Sequence, residues 1–279
     1  MDIKQILREH GFRFNKQFGQ NFLTDPVLLA DICRDAGIDG GTVVEVGAGA
    51  GTLTRALADV ADKVVAFEID RNLQPIIAIT LADKPNVHVE IGDIMRYKMS
   101  RVESLADNKP FRVVANIPYY ITTPLLMNFV EQSDLVQSLT LTIQKEVADR
   151  LCARPSTKDY GAITVAVDAV ADVVTTRILP RTLFYPQPNV DSAVVVINMR
   201  RDKYDIADRA LFRKTVKCAF AMRRKTLVNN LMVGFGITRD VAESVLTAAD
   251  LPTGCRGEEL TTAQFVTLYN AISHIVNAT

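Results

Sequence analysis

Val43-Val44-Glu45-Val46-Gly47-Ala48-Gly49-Ala50-Gly51-Thr52-Leu53-Thr54 runs from β-branched apolar residues through three alternating glycines into a helix-forming pattern. The change in composition reads as a strand, a tight turn and a helix start. Glycines lack Cβ atoms, so such a turn lets a nucleotide-like ligand approach the backbone. The helix start at Thr52 adds unpaired N–H groups. Around this unit, apolar runs alternate with helical patterns from about residue 27 to 150. Thr42–Val46, Lys63–Glu68, Val87–Ile91, Phe111–Asn116 and Ser138–Gln144 are expected strands. Val27–Ala36, Thr52–Asp59, Asn72–Ala82 and Thr123–Gln132 are expected helices, the first of them opened by Asp25-Pro26 as N-cap and first-turn proline. This alternation predicts an α/β fold, an open and mostly parallel Rossmann-like sheet with helices on both faces. Val173–Ile178 and Ser192–Asn198, separated by the proline-rich stretch 180–188, predict an antiparallel pair at the sheet edge.

Residues at the strand ends carry the chemistry. Glu68 lies 21 residues beyond Gly47, where a carboxylate accepts from both hydroxyls of a ribose. Gly92-Asp93-Ile94 places a second carboxylate where an adenine amino group would donate to it. The glycine turn alone suits a dinucleotide and S-adenosylmethionine equally. Its spacing, however, is Gly-x-Gly-x-Gly, not the Gly-x-Gly-x-x-Gly that seats a pyrophosphate. Asp93 and Asn116 tilt the balance further toward the methyl donor.

Asn116-Ile117-Pro118-Tyr119 follows the apolar run 111–115. On its own it reads as a strand ending in a proline turn with a half-buried tyrosine. Beside a methyl-donor site it suits alkylation of an exocyclic amine on a nucleobase. Such a nitrogen is a poor nucleophile because its lone pair is delocalised into the ring. Two acceptors aimed at its hydrogens, the Asn116 side-chain oxygen and the Ile117 carbonyl, hold it and favour a pyramidal geometry. Pro118 biases Ile117 toward an extended conformation that aims this carbonyl outward, and Tyr119 offers a face for stacking.

The 279 residues, 48% hydrophobic and 23% charged, suffice for one large or two ordinary globular domains. No run approaches the ~18 apolar residues of a membrane span, and Met1–Gln5 lacks the apolar core of a signal peptide. Cys33, Cys152, Cys218 and Cys255 form no CxxC pair, and His10, His88 and His274 are scattered. No metal site is expected, and lone thiols fit a cytoplasmic location. Beyond about Arg200 the pattern becomes helical, over Ile206–Met222, Arg224–Val233, Thr238–Leu246 and Thr261–Ile275. The expected division is therefore a donor-binding domain over 1–200 and a small all-helical domain over 201–279. That second segment has a net charge of only +3, yet seven basic and no acidic residues lie between Arg209 and Lys225. Arg213, Lys217 and Arg224 fall at spacings of four and seven, close to one helix face, with Arg223 and Lys225 adjacent. A solvated face explains scattered charges better than a cluster of one sign, so this stretch is the expected RNA-binding surface. Arg13 and Lys16 would extend it.

Taken together, these residues resemble the rRNA adenine dimethyltransferases, the KsgA-type family, nearly end to end. Phe18-Gly19-Gln20-Asn21-Phe22-Leu23 resembles the family's opening signature. The segment 45–51, Glu68, Gly92-Asp93 and the segment 116–119 match its cofactor and catalytic motifs in order. The stretch from Phe184 through Pro186, Pro188, Val190 and Ser192 to Ala193 resembles its Phe-x-Pro-x-Pro-x-Val-x-Ser-Ala loop. The resemblance implies transfer of two methyl groups from S-adenosylmethionine to N6 of each of two adjacent adenines. These lie in the loop of the 3′-terminal hairpin of small-subunit ribosomal RNA, modified during assembly of the pre-30S particle. Nothing in the sequence suggests an obligate dimer, so a monomer is expected. The resemblance further implies donor contacts from Asn21, Leu23, Gly47, Glu68, Asp93 and Asn116, and stacking of the target base between Tyr119 and Phe184. Ala48 and Ala50 depart from relatives that carry proline or bulkier residues in the turn. A large-subunit rRNA adenine methyltransferase of the antibiotic-resistance type shares most of these motifs. A DNA adenine methyltransferase, a non-catalytic assembly factor and a nicotinamide-dependent oxidoreductase fit fewer of them.

Overall fold

Each strand–turn–helix unit read from the sequence forms in the computed structural model, which describes residues 2–15, 18–118 and 121–276. The chain opens with α1 (Ile3–Glu9), β1 (Phe22–Leu23) and α2 (Pro26–Asp35). The alternating region follows as β2 (Thr42–Val46), α3 (Thr52–Ala58), β3 (Lys63–Glu68), α4 (Gln74–Thr80), β4 (Val87–Ile91), α5 (Met99–Leu105), β5 (Phe111–Asn116), α6 (Thr122–Gln132) and β6 (Val136–Gln144). Then come α7 (Lys145–Leu151), α8 (Ala162–Asp168), β7 (Ala171–Leu179), β8 (Phe184–Tyr185) and β9 (Ser192–Met199). The last helices are α9 (Arg209–Ala219), α10 (Leu227–Phe235), α11 (Arg239–Ala248) and α12 (Thr262–Val276). As the sequence suggests, the Asp25 carboxylate caps α2 by accepting from the Val27 and Leu28 N–H groups, with Pro26 in the first turn. Such a cap contributes ~1 kcal/mol.

The main sheet has seven strands in the order β4-β3-β2-β5-β6-β9-β7. The pairs among β2 to β6 are parallel and β9 runs antiparallel to β6. β9 lies inside the sheet with β7 beside it as the outermost strand, so the two expected edge strands are neighbours. Because β3 and β5 flank β2 on opposite sides, the chain reverses its winding there. In open α/β sheets, ligands bind at the carboxyl ends of the strands beside such a reversal. The registers Val46↔Phe67, Glu68↔Ile91 and Val46↔Ala115 bring the ends of β2, β3, β4 and β5 level. Val43, Val64, Ala66 and Val114 from the sheet share one core with Leu29 and Ile32 of α2 and Leu53 and Leu57 of α3.

The chain divides into two compact units, Met1–Ala148 with Val174–Met199, and Asp149–Val173 with Arg200–Thr279. This corrects the expected division at residue 200, which assigned 149–173 to the first domain. Tyr160, Val165 and Ala169 of that segment are buried in one core with Phe212, Val216, Leu246, Phe265 and Leu268 of the later helices. The Tyr160 hydroxyl also donates to the Leu260 carbonyl at 2.7 Å.

Candidate cofactor and catalytic site

The glycine turn adopts left-handed backbone conformations that other residues rarely take, and at Gly49 it also leaves no room for a side chain. Gly47 has φ +81°, and a Cβ there would meet the Asn116 carbonyl at 3.5 Å. Gly49 has φ +58°, and its Cβ would lie 2.8 Å from the Phe22 ring. The turn is therefore pressed against the residue that ends β5 on one side and the N-terminal segment on the other. Four of its N–H groups are engaged within the protein. Those of Gly47 and Ala48 both donate to the Phe67 carbonyl, at 2.9 and 3.0 Å, and that of Gly51 to the Ala48 carbonyl. The Gly49 N–H donates to Glu68 Oε2 at 2.7 Å. Those four donors are thus not available to cradle a pyrophosphate, whereas a donor made of a ribose, an adenine and a methionine chain asks for carboxylates and open backbone. Those are what the neighbouring strand ends present, so the residues fit S-adenosylmethionine.

Glu68 is 5% exposed, and its Oε1 accepts from the Asp70 N–H at 2.8 Å. Burial raises its pKa to about 7; bonds from the Asp70 and Gly49 N–H groups pull the other way, and the Asp70 charge adds to the rise. Asp70 is 2% exposed. Its Oδ2 accepts from Gln20 Nε2 at 2.7 Å, while Oδ1 accepts from the Asn72 backbone and side chain. The Gly92 N–H donates to the Glu68 carbonyl at 2.7 Å, which sets Asp93 beside Glu68. Asp93 Oδ1 accepts from the Met95 N–H, and Arg96 Nε lies 3.5 Å from Oδ2. Beneath the turn, Glu45 is fully buried and neither of its oxygens meets a well-formed partner among the described residues. Burial pushes its pKa to about 8, only partly offset by the nearby Thr54 hydroxyl, with the Glu68 charge adding to the rise.

Asn116 Nδ2 donates to the Asn21 backbone carbonyl at 2.7 Å, which turns Oδ1 of the same amide toward other donors. Ile117 is 2% exposed and its N–H donates to the Thr142 carbonyl on β6 at 3.3 Å. Pro118 faces Gly19, whose Cβ would meet the proline Cβ at 3.2 Å. Tyr119 lies outside the described residues, as does Lys16. Asn21 and Leu23 act here through their carbonyls, Leu23 by accepting from Thr52 Oγ1 at 2.8 Å. Phe184 departs from expectation. It pairs with Leu23 across β1 and β8 and is 5% exposed, a core residue with too little open face to stack on a base in this conformation. Tyr185, its neighbour, packs edge-on against Phe14. The side chains of Gln20, Thr52 and Asp70 were not singled out from sequence, although all three residues lie within or beside quoted motifs.

Among the described residues no group of His, Cys, Asp or Glu is arranged to hold a metal ion, and no helix is long and apolar enough to cross a membrane. The model of the family described as "Ribosomal RNA adenine dimethylase" matches residues 11–272. The chain belongs to the ribosomal RNA adenine dimethylase family. It is an S-adenosylmethionine-dependent methyltransferase. Ribosomal RNA small subunit methyltransferase A of Clostridioides difficile (strain 630) is 43% identical over 99% of this chain and 96% of its own. That of Streptococcus mutans is 44% identical over 98% and 96%. The crystal structure of the 23S rRNA methyltransferase ErmE superposes with a TM-score of 0.70 at 27% identity, covering 91% of this chain and all of that one. The dimethyladenosine transferase of Plasmodium falciparum shares the fold, with a TM-score of 0.78 at 23% identity over 91% and 98%.

The basic cluster of this dimethylase is organised differently from a single helix face. α9 ends at Ala219, so Arg213 and Lys217 are helical while Arg223, Arg224 and Lys225 lie in the turn beyond. The buried Asn230 holds that turn: its Nδ2 donates to the Ala219 and Met222 carbonyls, and its Oδ1 accepts from the Met222 N–H. All five basic residues are exposed. Arg223 is already engaged, donating to Glu258 Oε2 at 2.9 and 3.1 Å and to the Lys158 carbonyl at 3.2 Å. It braces the turn and is a poorer phosphate ligand than Arg224 or Lys225.

Proposed function

We propose that this enzyme dimethylates N6 of two adjacent adenines in the loop of the 3′-terminal hairpin of small-subunit ribosomal RNA, acting as a cytoplasmic monomer on an assembling pre-30S particle. What carries the reading is full-length identity of 40–44% to relatives named for the small subunit, set against 27% for ErmE. S-adenosylmethionine, when bound, supplies a methyl group on a sulfonium. The protein's own work is positioning and desolvation. Glu68 and Asp93 hold the ribose and adenine, and Gly47 leaves room for the methionine part beside Asn116. Asn116 Oδ1 and the Ile117 carbonyl accept from the target amine and orient its lone pair. Tyr119 provides the stacking face for a base turned out of the loop, which costs less than extraction from a duplex. The amine proton leaves after transfer, when the nitrogen is most acidic, so no general base is assigned. Arg224 and Lys225, with Arg213 and Lys217, bind phosphates.

Incubation with labelled donor and undermethylated small or large subunits, followed by mapping of the labelled nucleotide, tests this directly. Label confined to the two adjacent adenines in the loop of the small-subunit 3′ hairpin is expected. Label on the large subunit would overturn it.

A further inference from the structure

The N-terminal segment lies across the ends of β3 and β5 and the start of α3, tied at Gln20, Asn21 and Leu23. Gln20 bonds Asp70 beyond β3, the Asn21 carbonyl accepts from Asn116 at the end of β5, and the Leu23 carbonyl accepts from Thr52 at the start of α3. Gln20 is the one link in this series made by a side chain on the segment itself to a buried charge. Its amide is used at both ends. Nε2 donates to Asp70 Oδ2 at 2.7 Å, and Oε1 accepts from the Asn15 N–H at 2.9 Å. Asp70 in turn reaches the ribose carboxylate through its own N–H, bonded to Glu68 Oε1. One residue further on, the carbonyl that fixes the Asn116 amide belongs to Asn21. Gln20 thus stands between the group that reads the donor and the group that orients the acceptor.

We propose that Gln20 is a positioning residue for methyl transfer, a latch on Asp70 that sets the Asn21 carbonyl and through it the orientation of the Asn116 amide. The bond is worth more than one between exposed groups because Asp70 is a buried carboxylate. Leaving one of its oxygens unpaired is costly, so the segment is held in register. Without the latch, the Asn21 carbonyl is free to drift and Asn116 can turn Nδ2 instead of Oδ1 toward the amine. The inference rests on the acceptor role of Asn116 given above.

The test uses the full chain with Gln20→Ala, Gln20→Glu, Asp70→Asn and the double variant Gln20→Glu/Asp70→Asn. Single-turnover transfer to undermethylated small subunits is followed at saturating donor, well above the pH at which Glu68 titrates, alongside thermal melting. Gln20→Ala should slow transfer at least about tenfold without unfolding the protein, in keeping with the cost of misplacing a reacting group. Gln20→Glu sets two carboxylates against each other and should be slower still. In the double variant the polarity of the bond is reversed: Asn at position 70 donates to the carboxylate at position 20 and keeps its oxygen for Asn72. Glu at position 20 still accepts from Asn15. Transfer should recover to within a few-fold of the parent, above both Gln20→Glu and Asp70→Asn. Parental rates for Gln20→Ala, or a double variant no faster than Gln20→Glu, would overturn the latch. Asn116→Ala run in parallel separates the two ideas, since normal turnover there would sink the acceptor role itself.

Discussion

Donor binding should weaken as pH falls through neutrality, because Glu68, the carboxylate proposed for the ribose, is buried. Glu68 titrates near about 7, with burial the main cause. Ribose hydroxyls donate, so the ionised form is the competent acceptor, while the protonated form must first lose its proton or turn its own O–H aside. The apparent dissociation constant then scales inversely with the ionised fraction. At pH 6 only about a tenth of Glu68 is ionised, so affinity should be ~10-fold weaker than at pH 8.5, or ~1.4 kcal/mol. Titration calorimetry from pH 5.5 to 8.5 in buffers of different ionisation heat reads both the slope and the protons. Near neutrality about half a proton should be released per donor bound. Glu68→Gln should abolish the slope and bind ~1.5–3 kcal/mol more weakly at high pH, the range for a hydrogen bond to a charged group. A flat profile in the parent, or a slope that survives in Glu68→Gln, would refute this account of the ribose site.

Asn116→Ala should abolish transfer while donor affinity stays within a few-fold, because its oxygen serves an amine whose charge develops in the transition state; collapse of affinity with normal turnover would contradict that role. Replacing Arg224 and Lys225 by Gln should flatten the salt dependence of RNA binding by about 0.7–0.9 for each phosphate that is no longer neutralised. Arg223→Gln should instead lower the melting temperature slightly, since its guanidinium holds Glu258 and the Lys158 carbonyl. An Arg223 variant with the steepest loss of salt dependence would reverse this ranking. For Glu45, the folded pKa of about 8 lies above the ordinary 4.5, so the folded state binds the extra proton between these values. That contribution to stability is present below about 4.5 and is lost as pH rises toward 8. Glu45→Gln should therefore gain on the parent by about 3 kcal/mol between pH 5 and 8 in denaturant titrations; parallel curves would show that Glu45 is not buried as a neutral acid.

Much of the sheet was legible because its signals are local. Thr42–Val46, Lys63–Glu68, Val87–Ile91 and Phe111–Asn116 are apolar runs closed by turn residues, and all four strands form at those bounds. Asn116 and Glu68 were visible because each ends such a run. The rest depends on contacts between distant residues. α7 and α8 are seven residues each, too short for a helical period to stand out, and Tyr160 finds its partner 100 residues away. The Gln20–Asp70 bond spans 50 residues and leaves no periodic trace. Phe184 carried the right motif, but the direction of its ring is set by pairing with Leu23. α9 reads as longer than it is, because the side chain that holds the turn after Ala219 lies on the next helix.

The chain crosses between its two units three times, after Ala148, Val173 and Met199. In sequence, the helical unit is thus not a single tail: its first segment, 149–173, is inserted between the two segments of the other unit. Truncation at residue 200 would strand Tyr160, Val165 and Ala169 without the helices that cover them. Its product should be an aggregating fragment instead of a donor-binding domain that has merely lost its RNA grip. Anyone exchanging this unit with that of a relative must transplant two pieces at once.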